Sequence, residues 1–253
     1  MEDIMKSLEK RPLIIAGPCS VESQEQIEKT AEALAKKGIR FLRGGAYKPR
    51  TSPESFQGLG KDGAQMLHEA ARKNGMFTVS EVMTADDLKE SYDYIDVVQI
   101  GSRNMAAYGL LKQIAAMTSK DKKPIILKRH FSATMTEFLK AAEYLSAYGN
   151  DNVILCLRGI RTFEQIDSSL RFTPDIGAII ELKEKTSKPV IFDPSHPAGD
   201  RKYVGQLSKT ALAAGADGLI IEVHPDPDNA MSDKDQAISI EDFSGLLDSL
   251  EIK

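Results

Sequence analysis

The chain has 253 residues, 42% hydrophobic and 28% charged, with 33 Lys and Arg against 37 Asp and Glu for a formal charge of −4. This composition excludes a disordered chain, and the acidic balance argues against a dedicated binder of nucleic acid or anionic membrane while leaving room for a local basic site. No run reaches the roughly 18 apolar residues of a membrane span, and the N-terminal MEDIMKSLEKRP has no signal-peptide core.

In chain order, short apolar runs alternate with longer amphipathic stretches. The first run, 12–17, is followed by QIEKTAEALAKKG, where Ser23 and Gln26 offer a capping box. Ile27, Ala31, Leu34 and Ala35 share one helical face there, and Gly38 stands where a helix would stop. Further runs lie at 41–46, 77–82, 97–101, 124–129, 153–158, 189–194 and 218–224. Helical patterns cover 85–92, 106–117, 134–148, 200–214 and 241–250. Continuous Ile- and Val-rich runs suit strands buried on both faces, and strand–helix alternation implies parallel βαβ units. Eight units in this length fit an α/β fold, a single (β/α)8 TIM barrel, better than an open doubly wound sheet. One catalytic domain over 1–253 is expected, with 1–11 as a short N-terminal extension and no regulatory domain. Two long connections, 48–61 and 159–173, belong on the catalytic face of such a barrel. The two cysteines, Cys19 and Cys156, make no disulfide framework, so a reducing cytoplasm is the expected compartment.

The strand ends carry the chemistry. Arg43, Lys48, Arg50, Arg103, Lys128, Arg129 and Arg158 stand at or just after strand ends, with Glu81, Asp193, His196, Glu222 and His224. Each alone has an ordinary reading as a solvated charge, a turn residue or a salt-bridge partner. Together, cations at four strand ends would converge on one mouth and repel one another unless an anion neutralises them. Phosphorylated substrates suit that role, since Arg and Lys both bind phosphate and carboxylate. A second subset, Cys19, His196, Glu222 and Asp233, offers one sulfur, one imidazole and two carboxylates. That set suits a catalytic first-row divalent metal better than calcium or a structural zinc, although scattered ligands carry little of this reading by spacing.

Several motifs are specific when taken together. They are GPCSVES at 17–23, LRGGAYKPRTSP at 42–53, QIGSRNM at 99–105, ILKR at 126–129, ILCLRGIRTFE at 154–164, FDPSH at 192–196 and IEVHPDPDNAMSD at 221–233. From about residue 11 to 250 the chain resembles 3-deoxy-D-arabino-heptulosonate 7-phosphate (DAHP) synthase, in the short microbial, type I beta-like class whose barrel can stand alone. The resemblance implies condensation of phosphoenolpyruvate with erythrose 4-phosphate, the first step of the shikimate pathway and of aromatic amino-acid biosynthesis. It implies a divalent metal ion (Mn, Zn, Co, Fe or similar) on Cys19, His196, Glu222 and Asp233. Arg43, Lys48, Arg103, Lys128 and Arg158 are implied to bind phosphoenolpyruvate, and Pro49, Arg50, Thr51 and Ser52 to bind erythrose 4-phosphate. Lys48 is expected to serve the new alkoxide. Glu81 is expected either to handle the attacking water or to pair with Lys48 or Arg43. A homodimer or homotetramer is the implied assembly.

The alternative enzyme is 3-deoxy-D-manno-octulosonate 8-phosphate synthase, which takes arabinose 5-phosphate. Its loop after strand two usually reads Lys-Ala-Asn-Arg, whereas here it reads Lys48-Pro49-Arg50-Thr51, and Cys19 stands where metal-independent members carry Asn. A barrel that only binds a phosphometabolite is the third reading, opposed by the full ligand set. Departures from the family pattern are Leu157, His130 in place of Gly, and the stretches 165–176 and 197–202. His68, Cys156, Tyr144 and Tyr148 are read as packing residues, and His224 as a hydrogen-bonding neighbour of the metal ligands.

Overall fold

Eight parallel strands close on themselves in the computed structural model, which describes residues 2–48, 52–163 and 170–252. They are β1 (Leu13–Gly17), β2 (Phe41–Arg43), β3 (Phe77–Val82), β4 (Val97–Ile100), β5 (Ile125–Lys128), β6 (Val153–Leu157), β7 (Val190–Phe192) and β8 (Gly218–His224). Each pairs with the next, and β8 returns to β1 with Leu13 beside Gly218 and Gly17 beside Glu222. The outer helices are α2 (Gln24–Lys36), α3 (Gly60–Lys73), α4 (Ala85–Ser91), α5 (Tyr108–Thr118), α6 (Met135–Ala147), α7 (Gly177–Lys185), α9 (Val204–Ala213) and α10 (Ile240–Ser249), after an N-terminal α1 (Glu2–Glu9) and with a one-turn α8 (Ser195–Ala198) following β7. The expected (β/α)8 barrel is therefore the fold.

The apolar runs are continuous because each strand feeds two cores. Side chains alternate across a strand, so Ile15, Phe41, Val79, Val97, Ile126, Ile154, Ile191 and Ile220 fill the barrel interior. Their neighbours Ala16, Leu42, Val98, Leu127, Leu155, Phe192 and Ile221 pack outward against the helices.

Three local features differ from the sequence expectation. Residues 2–9 form helix α1, whose Ile4 and Leu8 lie one turn apart, 4% and 6% exposed, and join the interior core at the barrel floor. A two-residue strand β9 (Ile238–Ser239) pairs with β8. Ser23 does cap α2 by accepting from the Gln26 backbone, but the Gln26 side chain accepts from Glu22 and donates to the Ser20 carbonyl, so the reciprocal half of the box is missing. Gly38 stops α2 as read, with φ of +76°, and Gly149 plays the same part after α6 with φ of +114°.

Candidate active site and metal centre

One residue beyond the outward-facing position that ends each interior layer, the next inward position is polar. Stepping by two from Phe41, Val79, Val97, Ile126, Cys156, Ile191 and Ile220 gives Arg43, Glu81, Gln99, Lys128, Arg158, Asp193 and Glu222. Arg43, Gln99, Lys128, Arg158, Asp193 and Glu222 are all buried. The strand period alone thus converts scattered residues into one polar layer at the C-terminal end of the barrel. Arg129 follows the same rule outward: it bonds the Ala133 carbonyl and Asp175 instead of facing the mouth.

Three of the four expected metal ligands meet. Ligand atoms of Cys19, Glu222 and Asp233 lie within 4.8 Å of one another, and the Cys19 thiol donates to Asp233 at 3.1 Å. The Gly17 backbone, at φ +147°, makes this approach feasible, since a Cβ there would sit 2.0 Å from the Arg43 carbonyl oxygen. Burial, together with Glu222, pushes the Cys19 thiol up to about 12. Burial also opposes charge on Asp233 and Glu222. The nearby His196 and, respectively, the Cys19 hydrogen bond and Arg43 outweigh it and hold both below the usual carboxylate range. His196 lies outside the 4.8 Å group but lines the same cavity as Asp233. Its Nδ1 sits 2.7 Å from Asp193 Oδ2, which holds the ring from that side. Burial outweighs Asp193 and Glu222 and lowers the His196 pKa; a bound metal would take the neutral ring. A concentration of sulfur and carboxylate donors beside an imidazole anchored by Asp193 fits a first-row divalent cation, which would also favour the thiolate.

Beside this cluster a cavity is lined by Lys48, Glu81, Arg103, Lys128, Arg158 and Arg171, with Ser102, Phe131 and Phe172. Lys48 Nζ donates to the Cys19 carbonyl at 3.0 Å and lies 3.0 Å from its sulfur. Burial opposes the ammonium charge, but Cys19, Glu81 and Glu222 prevail and raise the Lys48 pKa. Lys128 Nζ pairs with Asp193 at 2.5 Å. Arg158 is pushed down to about 10 by burial and by Arg171 and Arg103. The Ser102 hydroxyl is buried here and finds no hydrogen-bond partner among the described residues. Such a mouth is short of negative charge and suits an oxyanion.

The sequence model of the DAHP synthetase I family matches residues 1–251. The chain belongs to that family. Phospho-2-dehydro-3-deoxyheptonate aldolase of Thermotoga maritima is 47% identical over 238 residues, covering 94% of this chain and 68% of the relative. A crystal structure of the DAHP synthase from Thermotoga maritima superposes with a TM-score of 0.89 at 47% identity, over 94% of this chain and 68% of that one. A truncated form from the same organism gives 0.85 at 43% identity, over 94% and 84%. The 2-dehydro-3-deoxyphosphooctonate aldolase of Acidithiobacillus ferrooxidans is 28% identical over 257 residues, covering 94% of this chain and 88% of the relative.

Within this DAHP synthetase I barrel, not every expected residue faces the cavity. Arg43 is turned toward Glu222 at 3.0 Å and the Cys19 carbonyl at 3.4 Å, so it braces the ligand cluster. Glu81 forms no ion pair with Lys48 or Arg43 among the described residues; it accepts from Gln99 at 3.0 Å. Gly101 leaves it room, because a Cβ there would lie 1.8 Å from Glu81 Oε1. Ser52 is exposed, and its hydroxyl accepts from the Glu54 backbone. Pro49, Arg50 and Thr51 lie outside the described residues. His224 bonds Glu22 and the Asp226 backbone and does not reach Glu222. Arg201 is tied to Asp228 and the Lys234 carbonyl.

Three supporting residues went unassigned in the sequence. Asp193 takes Lys128 and the His196 backbone, Gln99 holds Glu81, and Gln236 donates to Glu222 at 2.6 Å. Period two marks Asp193 and Gln99 as inward; Gln236 carries no sequence signal.

Proposed function

We propose that the chain condenses phosphoenolpyruvate with erythrose 4-phosphate to give 3-deoxy-D-arabino-heptulosonate 7-phosphate and inorganic phosphate. The observation that carries this is the oxyanion mouth of Arg103, Lys128 and Arg158 opening directly beside the Cys19–Glu222–Asp233 cluster. Cys19, His196, Glu222 and Asp233 would hold a divalent ion, which when bound would supply Lewis acidity toward the aldehyde oxygen. Arg103, Lys128 and Arg158 bind the phosphate of phosphoenolpyruvate and stabilise its departure, a preorganised electrostatic role. C3 of phosphoenolpyruvate attacks the aldehyde carbon, and Lys48, beside Cys19, delivers a proton to the resulting alkoxide oxygen. Water adds at C2 and gives its proton to Glu81, which Gln99 keeps aimed. Phosphate then leaves by C–O cleavage. Pro49, Arg50, Thr51 and Ser52 are assigned to the phosphate of erythrose 4-phosphate.

The test is a paired aldehyde assay of phosphate release. Erythrose 4-phosphate is expected to support turnover, with arabinose 5-phosphate at least about tenfold poorer in kcat/KM, a margin set by contacts worth one or two hydrogen bonds. EDTA abolishes turnover, and added manganese or another first-row metal restores it. Preference for arabinose 5-phosphate would transfer the chain to the octulosonate reaction, and activity undiminished by EDTA would remove the metal.

A further inference from the structure

The sequence assigns Arg158 to the substrate phosphate but assigns nothing to hold Arg158. Its residue is 5% exposed, and no carboxylate, carbonyl or hydroxyl among the described residues accepts from its guanidinium. What it touches is the face of Phe172, with Cζ 4.2 Å from the ring centroid. Arg171 approaches the same ring at 5.5 Å. Phe172 in turn stacks on Phe131 at 5.6 Å, and Phe131 carries Arg161 at 4.5 Å. Phe131 and Phe172 both line the cavity that holds the cations.

The backbone fixes this wall. Immediately after Arg158 the chain turns through Gly159, at φ +83°, where a Cβ would lie 3.0 Å from Phe172 Cβ and 2.9 Å from Pro197 Cβ. Ile160 and Thr173 then form an isolated antiparallel bridge, with both N–O distances 3.0 Å. The Phe172 amide donates to the Pro197 carbonyl at 3.3 Å. The loop that leaves Arg158 therefore returns with the ring that covers it.

We propose that Phe172, backed by Phe131, is a positioning residue that holds the Arg158 guanidinium flat with its N–H groups free for the phosphate of phosphoenolpyruvate. The physical logic is one of unspent donors. A carboxylate partner would fix Arg158 but would occupy its fork and cancel its charge. A ring face attracts the cation, restrains its plane and takes no N–H. The low pKa of Arg158 is in keeping with this, since burial and the nearby Arg171 and Arg103 outweigh the more distant charge of Asp193. The identity of the anion rests on the proposed reaction; the wall itself rests on the geometry.

The test uses metal-loaded, full-length protein with Phe172→Leu, Phe172→Tyr, Arg158→Lys and the Phe172→Leu/Arg158→Lys double variant. Binding of inorganic phosphate is followed by calorimetry, and turnover by KM for phosphoenolpyruvate and kcat. Phe172→Leu keeps apolar bulk and loses the ring; it is expected to weaken phosphate binding and raise KM by about tenfold, with kcat within about threefold. Phe172→Tyr stays within about twofold of the parent on both. In the Arg158→Lys background, Phe172→Leu adds less than about twofold, because the planar cation it serves is gone. Unchanged phosphate binding in Phe172→Leu overturns the proposal, as does a Tyr variant as weak as the Leu variant, or an undiminished Leu effect beside Lys. Phosphate binding that follows this pattern without any turnover would leave the wall standing and defeat the proposed reaction instead.

Discussion

Asp193 shows how much one side chain decides. It is 1% exposed and accepts from Lys128 and from the His196 backbone. Burial favours its neutral form, but His196 and Lys128 hold it well below the usual carboxylate range. Asp193→Asn leaves the Lys128 ammonium buried without its counter-charge. Breaking such a pair costs about 3–5 kcal/mol, so the melting temperature is expected to fall by roughly 6–20 °C for a chain of this size. Pairing Asp193→Asn with Lys128→Met removes the orphaned charge. Thermal melts should show stability partly regained in the double variant, while phosphate release stays absent. A single variant that melts like the parent would contradict the pairing.

At the scale of elements, α1 is the part least expected and most simply tested. Ile4 and Leu8 seal the interior core from below, at the end of the barrel opposite the strand-end charges. Leu8→Ala should destabilise by roughly 2–5 kcal/mol, visible in a urea melt as a lower midpoint, while kcat and KM stay within about twofold because no cavity residue moves. An equal loss of kcat would mean that the floor and the mouth are mechanically linked. Strands such as β1 and β6 were legible because a strand buried on both faces shows an unbroken apolar run. Helix α1 was not, because eight residues with a narrow apolar stripe read as well as a solvated tail. Strand β9 has two residues, too few to show any period. The site was legible to the same depth. Arg103, Lys128, Arg158 and Glu222 announce themselves by charge at or near strand ends, whereas Cys19 and Asp233 carry little signal of their own. The turn of Arg43 toward Glu222, the grip of Gln236 on Glu222 and the stacking of Arg158 on Phe172 depend on contacts between distant segments, which no local pattern encodes.

For the whole molecule, net charge and local charge make opposite predictions. A body of −4 repels an anionic substrate, and screening that repulsion would raise kcat/KM as salt is added. A mouth of Lys48, Arg103, Lys128, Arg158 and Arg171 attracts it, and screening that attraction lowers kcat/KM. At about 0.15 M salt the screening length is roughly 8 Å, which damps the charges spread over the body more than those lining the cavity, so the near field governs. Between low and high ionic strength, kcat/KM for phosphoenolpyruvate is therefore expected to fall several-fold at constant metal. A rise would show that the global charge dominates encounter.

Closure of the barrel also sets a calendar for the site. β1 finds its second neighbour only in β8, and Cys19 finds Glu222 and Asp233 more than 200 residues later in the chain. A nascent polypeptide emerging from the ribosome thus carries the thiol from the first moments of synthesis but has no cage for a metal until the eighth strand is out. Birth order keeps the ligands apart: β8 brings Glu222 and closes the cylinder, and Asp233 follows it in the next loop.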